Sequence, residues 1–266
     1  MTKNIVIKTV DESPLVPFPQ LNGLKSVGDV NSRSVIASDT ALLLWIHELK
    51  PRASIEFVQP KCGHLLYVWR GDVNVNEVKV SEAQVFIVEH LADAIVTAGD
   101  QGATIVHFHQ AENQPLLTAK VGGHVHISPK EGLFSRWDEA RQARHTVWAD
   151  ADCQTCDFWL HRSAFGRPRL QSEPHFHNED EIIFVIEGAT IVGKEHPTGT
   201  AIAVPAGKTY AFGVAAQGSA FINFRATSPL VKMVDKGKAS RDWMSERSFM
   251  RNEIELPVID PRAALQ

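Results

Sequence analysis

The stretch PHFHNEDEIIFVIEG, residues 174–188, combines candidate metal ligands with the start of an apolar segment. His175 and His177 are two residues apart, so on an extended strand both imidazoles leave the same face. Three acids follow, and the apolar run after them places Glu181 at the mouth of a buried strand. Imidazole and carboxylate together suit divalent transition metals. The stretch predicts a metal site at a strand end, whereas two ordinary surface histidines would be the simpler alternative.

The same stretch belongs to an internal repeat, which is the strongest signal of organisation in the chain. Three pairs of segments recur in the same order, 114–117 residues apart: LWIH at 44–47 with FWLH at 158–161, HLLYVWRG at 64–71 with EIIFVIEG at 181–188, and GATIVHFHQ at 102–110 with GSAFINFRA at 218–226. A duplicated unit is the interpretation that accounts for all three pairs.

Short segments rich in β-branched and aromatic residues, separated by Gly, Pro and Asn-Asp turns, predict an all-β sandwich or barrel. Helical periodicity is confined to RWDEARQARHTVW (136–148) and to the C-terminal tail. We therefore expect two tandem barrels with a short helical connector and a partly helical tail. The expected divisions are an N-terminal barrel with an N-terminal arm at 1–120, a connector at 121–152, a C-terminal barrel at 153–230 and a tail at 231–266.

Composition and charge argue against several classes of function, beginning with nucleic-acid binding. The chain has 266 residues, 44% hydrophobic and 22% charged, with a net charge of −4 and no long basic run, so no nucleic-acid partner is expected. The N-terminus lacks the features of a signal peptide, and no apolar run reaches the ~18 residues that span a bilayer. Three cysteines, Cys62, Cys153 and Cys156, favour a reducing cytoplasm. The motif CQTC at 153–156 suits redox or metal chemistry, although two chance cysteines are the simpler interpretation.

The spacing of the ligands resembles the first motif of the cupin superfamily, H-x-H-x-x-x-E-x-x-x-x-x-x-G, here His175, His177, Glu181 and Gly188. A second stretch is similar to the family's other motif, with Gly199, Pro205 and Gly207 at matching positions. The resemblance covers most of residues 36–230. It implies a bicupin of two double-stranded β-helix (jelly-roll) barrels that binds a small molecule and one divalent transition metal, and that assembles as a homodimer.

The chain departs from the family at Tyr210, where the second motif normally supplies a histidine ligand. Tyr210 would bind the metal as a phenolate, or it would remain a phenol and donate a proton, or it would only line the pocket. In the second case His175, His177 and Glu181 form a 2-His-1-carboxylate face, which is typical of non-haem Fe(II) oxygenases.

Strand parity suggests the other residues of the pocket. Ile183 shares a face with Glu181, and Phe212 shares a face with the tyrosine two residues before it. Asn223 and Arg225 share a face of the last strand. A guanidinium fork suits a substrate carboxylate or enolate, although an ion pair at the rim would equally explain Arg225.

The first copy of the repeat lacks the expected ligands. The glutamate aligns with His64, the tyrosine with Ala94, and the two histidines with FVQPKCG. We expect no metal there in the usual place. His107 and His109 align with the asparagine and arginine of the second copy. With His64 they would form a non-standard histidine site; the simpler alternatives are two outward histidines on a half-exposed strand or a buried hydrogen-bonded pair.

These observations favour an enzyme. The first hypothesis is a non-haem Fe(II) dioxygenase that acts on a small acidic or chelating metabolite, with Tyr210 as a catalytic residue. The second is an isomerase or lyase that uses Zn, Ni or Mn, with the tyrosine as acid/base. The third is a non-catalytic bicupin that binds a small molecule.

Overall fold

The computed structural model describes residues 4–19, 21–37, 40–111, 120–138, 142–151, 153–166, 172, 174–227, 231–235 and 238–242. Every regular element in these ranges is a β-strand, which confirms the all-β prediction. The first eleven strands are β1 Val6–Thr9, β2 Val16–Pro17, β3 Leu24–Val27, β4 Val30–Ile36, β5 Leu42–Leu49, β6 Ser54–Phe57, β7 His64–Val75, β8 Val78–Ser81, β9 Val85–Val88, β10 Ala94–Gln110 and β11 Val125–Ile127. The next ten are β12 Phe134–Asp138, β13 Ala143–Ala149, β14 Trp159–Phe165, β15 His175–His177, β16 Glu181–Val192, β17 Lys194–Pro197, β18 Thr200–Val204, β19 Gly213–Arg225, β20 Val231–Asp235 and β21 Lys238–Asp242.

The chain divides into two compact units. The N-terminal unit contains the described parts of Val10–Lys130 and Asp152–Asp157. The C-terminal unit contains those of Met1–Thr9, Glu131–Ala151 and Phe158–Pro257. Strand β1 therefore belongs to the C-terminal unit, where it pairs with β18.

The two units use the same strand order. The main sheet of the N-terminal unit runs β11-β9-β7-β10-β5-β4-β2, and that of the C-terminal unit runs β1-β18-β16-β19-β14-β13-β12. At the centre of each sheet lies a long antiparallel pair, β7 with β10 and β16 with β19. Both pairs bend at a glycine in the left-handed region, Gly71 at φ 77° and Gly188 at φ 65°. A Cβ at Gly188 would collide with the backbone of Gly218, so only glycine fits there.

The predicted helical connector is wrong. Residues 134–138 and 143–149 form the antiparallel pair β12–β13, and β13 continues the sheet by pairing with β14. Thr146, Val147 and Trp148 are buried in that position. Pairing with an open sheet edge stabilises this β-branched and aromatic segment more than a helix would, because packing context overrides local propensity. In the tail, the described residues 231–235 and 238–242 are strands, and the predicted tail helix otherwise lies outside the described residues.

Each unit has its own apolar core. In the C-terminal unit, Ile183, Ile202, Val204 and Phe221 pack together with Tyr210, so the tyrosine stands at the boundary between core and candidate site. No helix in the described part of the chain is long and apolar enough to cross a membrane.

Candidate metal and substrate site

The backbone places Tyr210 directly opposite the histidine pair. His175 N donates to Tyr210 O and Tyr210 N donates to His175 O, each at 3.0 Å. Gly207 N donates to His177 O at 2.7 Å and holds the preceding turn against the same strand. The rings of His175 and Tyr210 consequently lie 4.5 Å apart between centroids. The glycine-rich turn of the second motif thus brings the tyrosine next to the first ligand.

Glu181 begins β16 and is 1% exposed. Its Oε2 accepts hydrogen bonds from Asn223 Nδ2 at 2.8 Å and from Arg225 Nη2 at 2.5 Å. Both partners come from β19, which pairs with β16 through Ile183 and Asn223. His177 Nε2 lies 3.6 Å from the same carboxylate oxygen. The face shared by Asn223 and Arg225 is therefore turned toward Glu181.

Arg225 lies between the predicted ligands. Its Nη2 is 3.1 Å from His177 Nε2 as well as 2.5 Å from Glu181 Oε2, and the residue is only 3% exposed. A positively charged nitrogen thus occupies the space that a metal ion bound to these two side chains would take. The donor atoms of the predicted triad do not form one of the tight three-ligand groups found among the described residues.

A second carboxylate, absent from the predicted site, also faces this centre. Glu179 Oε1 lies 3.7 Å from His177 Nδ1 and 3.7 Å from Arg225 Nε. Carboxylates on the far nitrogen of a ligating histidine orient its ring and raise its basicity. Glu179 lies in the bend after β15, where strand alternation no longer applies, so no sequence signal pointed to its contact with this centre.

The site keeps its carboxylate ionised and its phenol protonated. Burial raises the pKa of Glu181, but His177, Arg225 and hydrogen bonds from Tyr210 and Asn223 outweigh burial and hold that pKa at about 2. Burial, followed by the negative charge of Glu181, raises the pKa of Tyr210 well above its usual value of 10. Without a bound metal, the tyrosine is therefore a proton donor and not a phenolate.

The remaining predicted pocket residues form an apolar side of the site. Phe212 lies edge-on to His175, 6.2 Å between ring centroids, and packs against Phe221 at 5.5 Å. Ile183 is buried in the core behind them. Direct contacts therefore link seven of the predicted residues, His175, His177, Glu181, Tyr210, Phe212, Asn223 and Arg225, and Ile183 lies in the adjacent apolar cluster.

In the N-terminal unit the corresponding space holds a chain of hydrogen-bonded side chains. Ser32 Oγ contacts His47 Nδ1 at 2.8 Å, His47 Nε2 contacts His107 Nδ1 at 2.9 Å, and His107 Nε2 contacts His64 Nδ1 at 2.8 Å. Cys62 Sγ lies 3.7 Å from His64 Nε2 at the end of the chain. Burial lowers the pKa of His47 to about 3 and those of His64 and His107 well below their usual range, so the imidazoles are neutral.

The three residues whose donor atoms converge in this unit differ from the predicted histidine trio. Both ring nitrogens of His107 bond to other histidines, so His107 has no nitrogen left for a metal. Cys62, His64 and His109 instead bring their donor atoms within 4.8 Å of one another. Neither Cys62 nor the link from His47 to Ser32 was part of the predicted cluster, because no motif spacing connects these residues.

Comparisons with known proteins identify the fold. No family model matches the chain, and no curated protein matches it. Several solved structures do match. Oxalate decarboxylase from Lactobacillus farciminis is 12% identical, the match covers 100% of this chain and 97% of that one, and the TM-score is 0.65. A proposed dioxygenase from Nostoc punctiforme is 10% identical, with coverages of 91% and 87% and a TM-score of 0.65, and protein Ylba from E. coli is 11% identical, with coverages of 84% and 90% and a TM-score of 0.63. At this identity the likeness establishes the fold alone. The chain thus has the cupin-type fold that its motifs resemble.

Proposed function

We propose that the chain is a metal-dependent enzyme whose centre lies in the C-terminal unit and that it oxidises a small acidic or chelating metabolite as a non-haem Fe(II) dioxygenase. The observation that carries the proposal is the position of Arg225 Nη2, which bridges His177 Nε2 and Glu181 Oε2. A buried anion and an imidazole held around one positive nitrogen form a cation site.

The donor chemistry fits a divalent metal on one condition. His175, His177 and Glu181 supply two imidazoles and an ionised carboxylate, the set associated with open-sided Fe(II) centres. The condition is that the Arg225 side chain moves away from Glu181 when the metal is bound. When present, the metal would supply Lewis acidity and, as iron, reactivity toward O2.

Arg225 would then bind the substrate. A guanidinium released from Glu181 would keep only Glu179, 3.7 Å away, as a charged partner, and a substrate carboxylate would replace the lost contact with two parallel hydrogen bonds. The likeness to an oxalate decarboxylase supports an acidic substrate, because oxalate is a small dicarboxylate. Phe212 and Phe221 would exclude water from the opposite side of the site.

Tyr210 would donate a proton to the substrate. Its raised pKa keeps the phenol protonated at neutral pH, and its ring lies against His175 at 4.5 Å. Asn223 would hold the carboxylate of Glu181 in place through its 2.8 Å hydrogen bond. General acid catalysis of this kind contributes about 10²–10⁴-fold in rate.

The test is anaerobic loading with Fe(II), Mn(II) or Zn(II), followed by O2 uptake with small mono- and dicarboxylates. Arg225→Met should bind metal more tightly than the wild type, because no guanidinium competes, and should lose turnover. Tyr210→Phe should keep the metal and lose about 10²-fold or more in turnover. Weaker metal binding in Arg225→Met would contradict the proposed exchange.

An isomerase or lyase is the second candidate, and the protonated state of Tyr210 favours it specifically. A phenol poised to donate suits a proton transfer next to a carbonyl at a Zn, Ni or Mn centre. Substrate turnover without O2 consumption in the zinc- or manganese-loaded chain would select this candidate over the dioxygenase. Substrate binding without any turnover would instead favour a non-catalytic binding protein.

A further inference from the structure

A second group of ligand atoms lies in the N-terminal unit, in residues that the proposed enzyme centre does not use. Glu89, His126, Cys153 and Cys156 each present one donor atom, and the four atoms all lie within 4.8 Å of one another. They come from three separate segments of the sequence. Because no sequence motif links these segments, only the fold brings the four side chains together.

The sheet edge positions the two non-sulfur ligands. Strand β11 pairs with β9 through His126 and Ile87, and Glu89 follows directly after β9. His126 Nε2 consequently lies 2.6 Å from Glu89 Oε1. The backbone N–H of His124 also donates to Glu89 Oε2, at 2.9 Å. The carboxylate and the imidazole thus already converge on one point.

Neighbouring side chains hold the turn of Cys153 and Cys156 next to the carboxylate and the imidazole. Lys120 Nζ donates to the carbonyl oxygens of Cys153 and Cys156 at 2.6 and 2.9 Å and pairs with Asp157 at 2.8 Å. Thr155 Oγ1 donates to a carboxylate oxygen of the cluster at 2.6 Å. These contacts fix both backbone positions of the C-x-x-C turn and support its ligands from outside, as partners of metal ligands commonly do.

The four side chains offer donor atoms of the kinds that bind a metal. Metals bind cysteine as the thiolate and glutamate as the carboxylate. Two sulfurs, one imidazole nitrogen and one carboxylate oxygen therefore converge on one point.

We propose that Cys153, Cys156, His126 and Glu89 bind one zinc ion as a structural site. Two sulfurs select a borderline-soft metal over Mg²⁺ or Ca²⁺. Four protein ligands fill a tetrahedron and leave no position for a substrate, which is the arrangement of structural rather than catalytic zinc. The ion would replace the direct hydrogen bond between Glu89 and His126, bind both cysteines as thiolates with release of their protons to solvent, and fasten residues 153–157 to the edge of β9 and β11.

The competing explanation is a redox-active dithiol. The two cysteines form no disulfide in the structure, and a C-x-x-C pair is also a redox motif. The two explanations predict different reactivity of the thiols toward alkylating reagents. Bound zinc would protect the thiols until a chelator removes it, whereas a redox-active dithiol would react at once or be found as a disulfide.

The test is metal analysis of the full chain purified without chelators or added metal, compared with Cys153→Ser/Cys156→Ser and with the matched control Gln154→Ser, an exposed residue of the same turn. The double variant should lose about one equivalent of zinc per chain, and the control should lose none. Unchanged zinc in the double variant would overturn the proposal.

A second measurement does not depend on the variants folding. In the wild type, alkylation of Cys153 and Cys156, mapped by mass spectrometry, should be slow and should accelerate after chelation. Replacement of zinc by Co(II) should give a sulfur-to-metal charge-transfer band. Immediate alkylation that a chelator does not change would sink the proposal in favour of the dithiol.

Discussion

The two units place opposite chemistry on equivalent strands. At the centre of the N-terminal unit, β7 and β10 contribute His64 and His107 to a chain of neutral imidazoles. At the matching positions of the C-terminal unit, β16 and β19 contribute Glu181 and Asn223, with Arg225 beside them. One interior holds a neutral hydrogen-bonded network, and the other depends on a buried pair of charges.

The difference explains why only one unit is proposed to hold the enzyme centre. A neutral imidazole with both nitrogens bonded, as in His107, offers nothing to a cation. A buried carboxylate must be matched by a positive charge, because an unmatched buried ion costs several kcal/mol. The charge that matches Glu181 in this structure is a flexible side chain, which a metal ion can replace.

The largest expected effect comes from removing the buried anion. Glu181→Gln should lower the free energy of unfolding by about 3–5 kcal/mol, since it breaks a buried ion pair and leaves Arg225 only the more distant carboxylate of Glu179, and should abolish metal binding in the C-terminal unit. Denaturant unfolding and metal analysis check both outcomes. Glu187→Gln, at a side chain 75% exposed, is the control and should change neither. Equal stability of the two variants would contradict a structural role for the pair.

Breaking the hydrogen-bonded histidine network of the N-terminal unit should lower the free energy of unfolding somewhat less than Glu181→Gln does. His107→Leu deprives His47 Nε2 and His64 Nδ1 of their partners. Each buried polar group left without a hydrogen bond costs about 1–3 kcal/mol, so we expect a loss of about 2–4 kcal/mol in denaturant unfolding. Metal binding in the C-terminal unit should be unchanged, and a loss of that metal would show that the units do not act independently.

Mild acid should destabilise the units in a fixed order. The pKa of His47 is about 3 in the native state, against 6.5 for a histidine side chain in water, so the unfolded chain binds more protons between these values. Its stabilisation is complete above about pH 6.5 and is lost as the pH falls, by about 1.4 kcal/mol per unit. The pKa of Glu181 is about 2 against 4.5, so its stabilisation is complete above pH 4.5 and is lost only below it.

At pH 5.5 the N-terminal unit should therefore weaken more than the C-terminal unit. Burial lowers the pKa of His47, His64 and His107 in the N-terminal unit, whereas in the C-terminal unit the same effect acts on His161. Hydrogen exchange, followed on peptides from each unit and corrected for intrinsic rates, checks this difference. His47→Gln should reduce the pH dependence of the N-terminal unit. Equal weakening of both units at pH 5.5 would contradict it.

The smallest effect should come from Asn223→Ser. It removes the 2.8 Å hydrogen bond to Glu181 but leaves the ion pair with Arg225 intact. A buried hydrogen bond to a charged group contributes about 1.5–3 kcal/mol, part of which a water molecule would recover in the space that serine leaves. We expect a loss of about 1 kcal/mol in denaturant unfolding, and a loss as large as that of Glu181→Gln would contradict the ranking.

The sequence could group the residues of the C-terminal candidate site because strand parity and motif spacing are local. Motif spacing and the repeat selected Glu181, and two-residue alternation put Asn223 and Arg225 on one shared face, but alternation alone does not say which face points inward. The contact between Arg225 and the ligands could not be predicted, since it depends on side-chain conformation. Glu179 was passed over because spacing favoured its neighbour, although it faces the same centre.

Two regions differ from the sequence-based prediction because their contacts lie outside the local pattern. Residues 136–148 have helical periodicity, yet 134–138 and 143–149 form strands, the second of which pairs with the edge of β14. The CQTC motif alone gave no reason to prefer a site over two chance cysteines, and only the fold brings Glu89 and His126 beside it. Local patterns cannot report these two partners, which lie 27 or more residues from the cysteines in the chain.

The most direct test of the central claim is metal binding at the C-terminal centre alone. In the Cys153→Ser/Cys156→Ser background, the chain is loaded anaerobically with Fe(II), desalted and analysed for iron, with and without His177→Ala. We expect about one iron per chain in the Cys153→Ser/Cys156→Ser protein and close to none after His177→Ala is added. Equal iron in both proteins would contradict the assignment of His175, His177 and Glu181 as the metal centre.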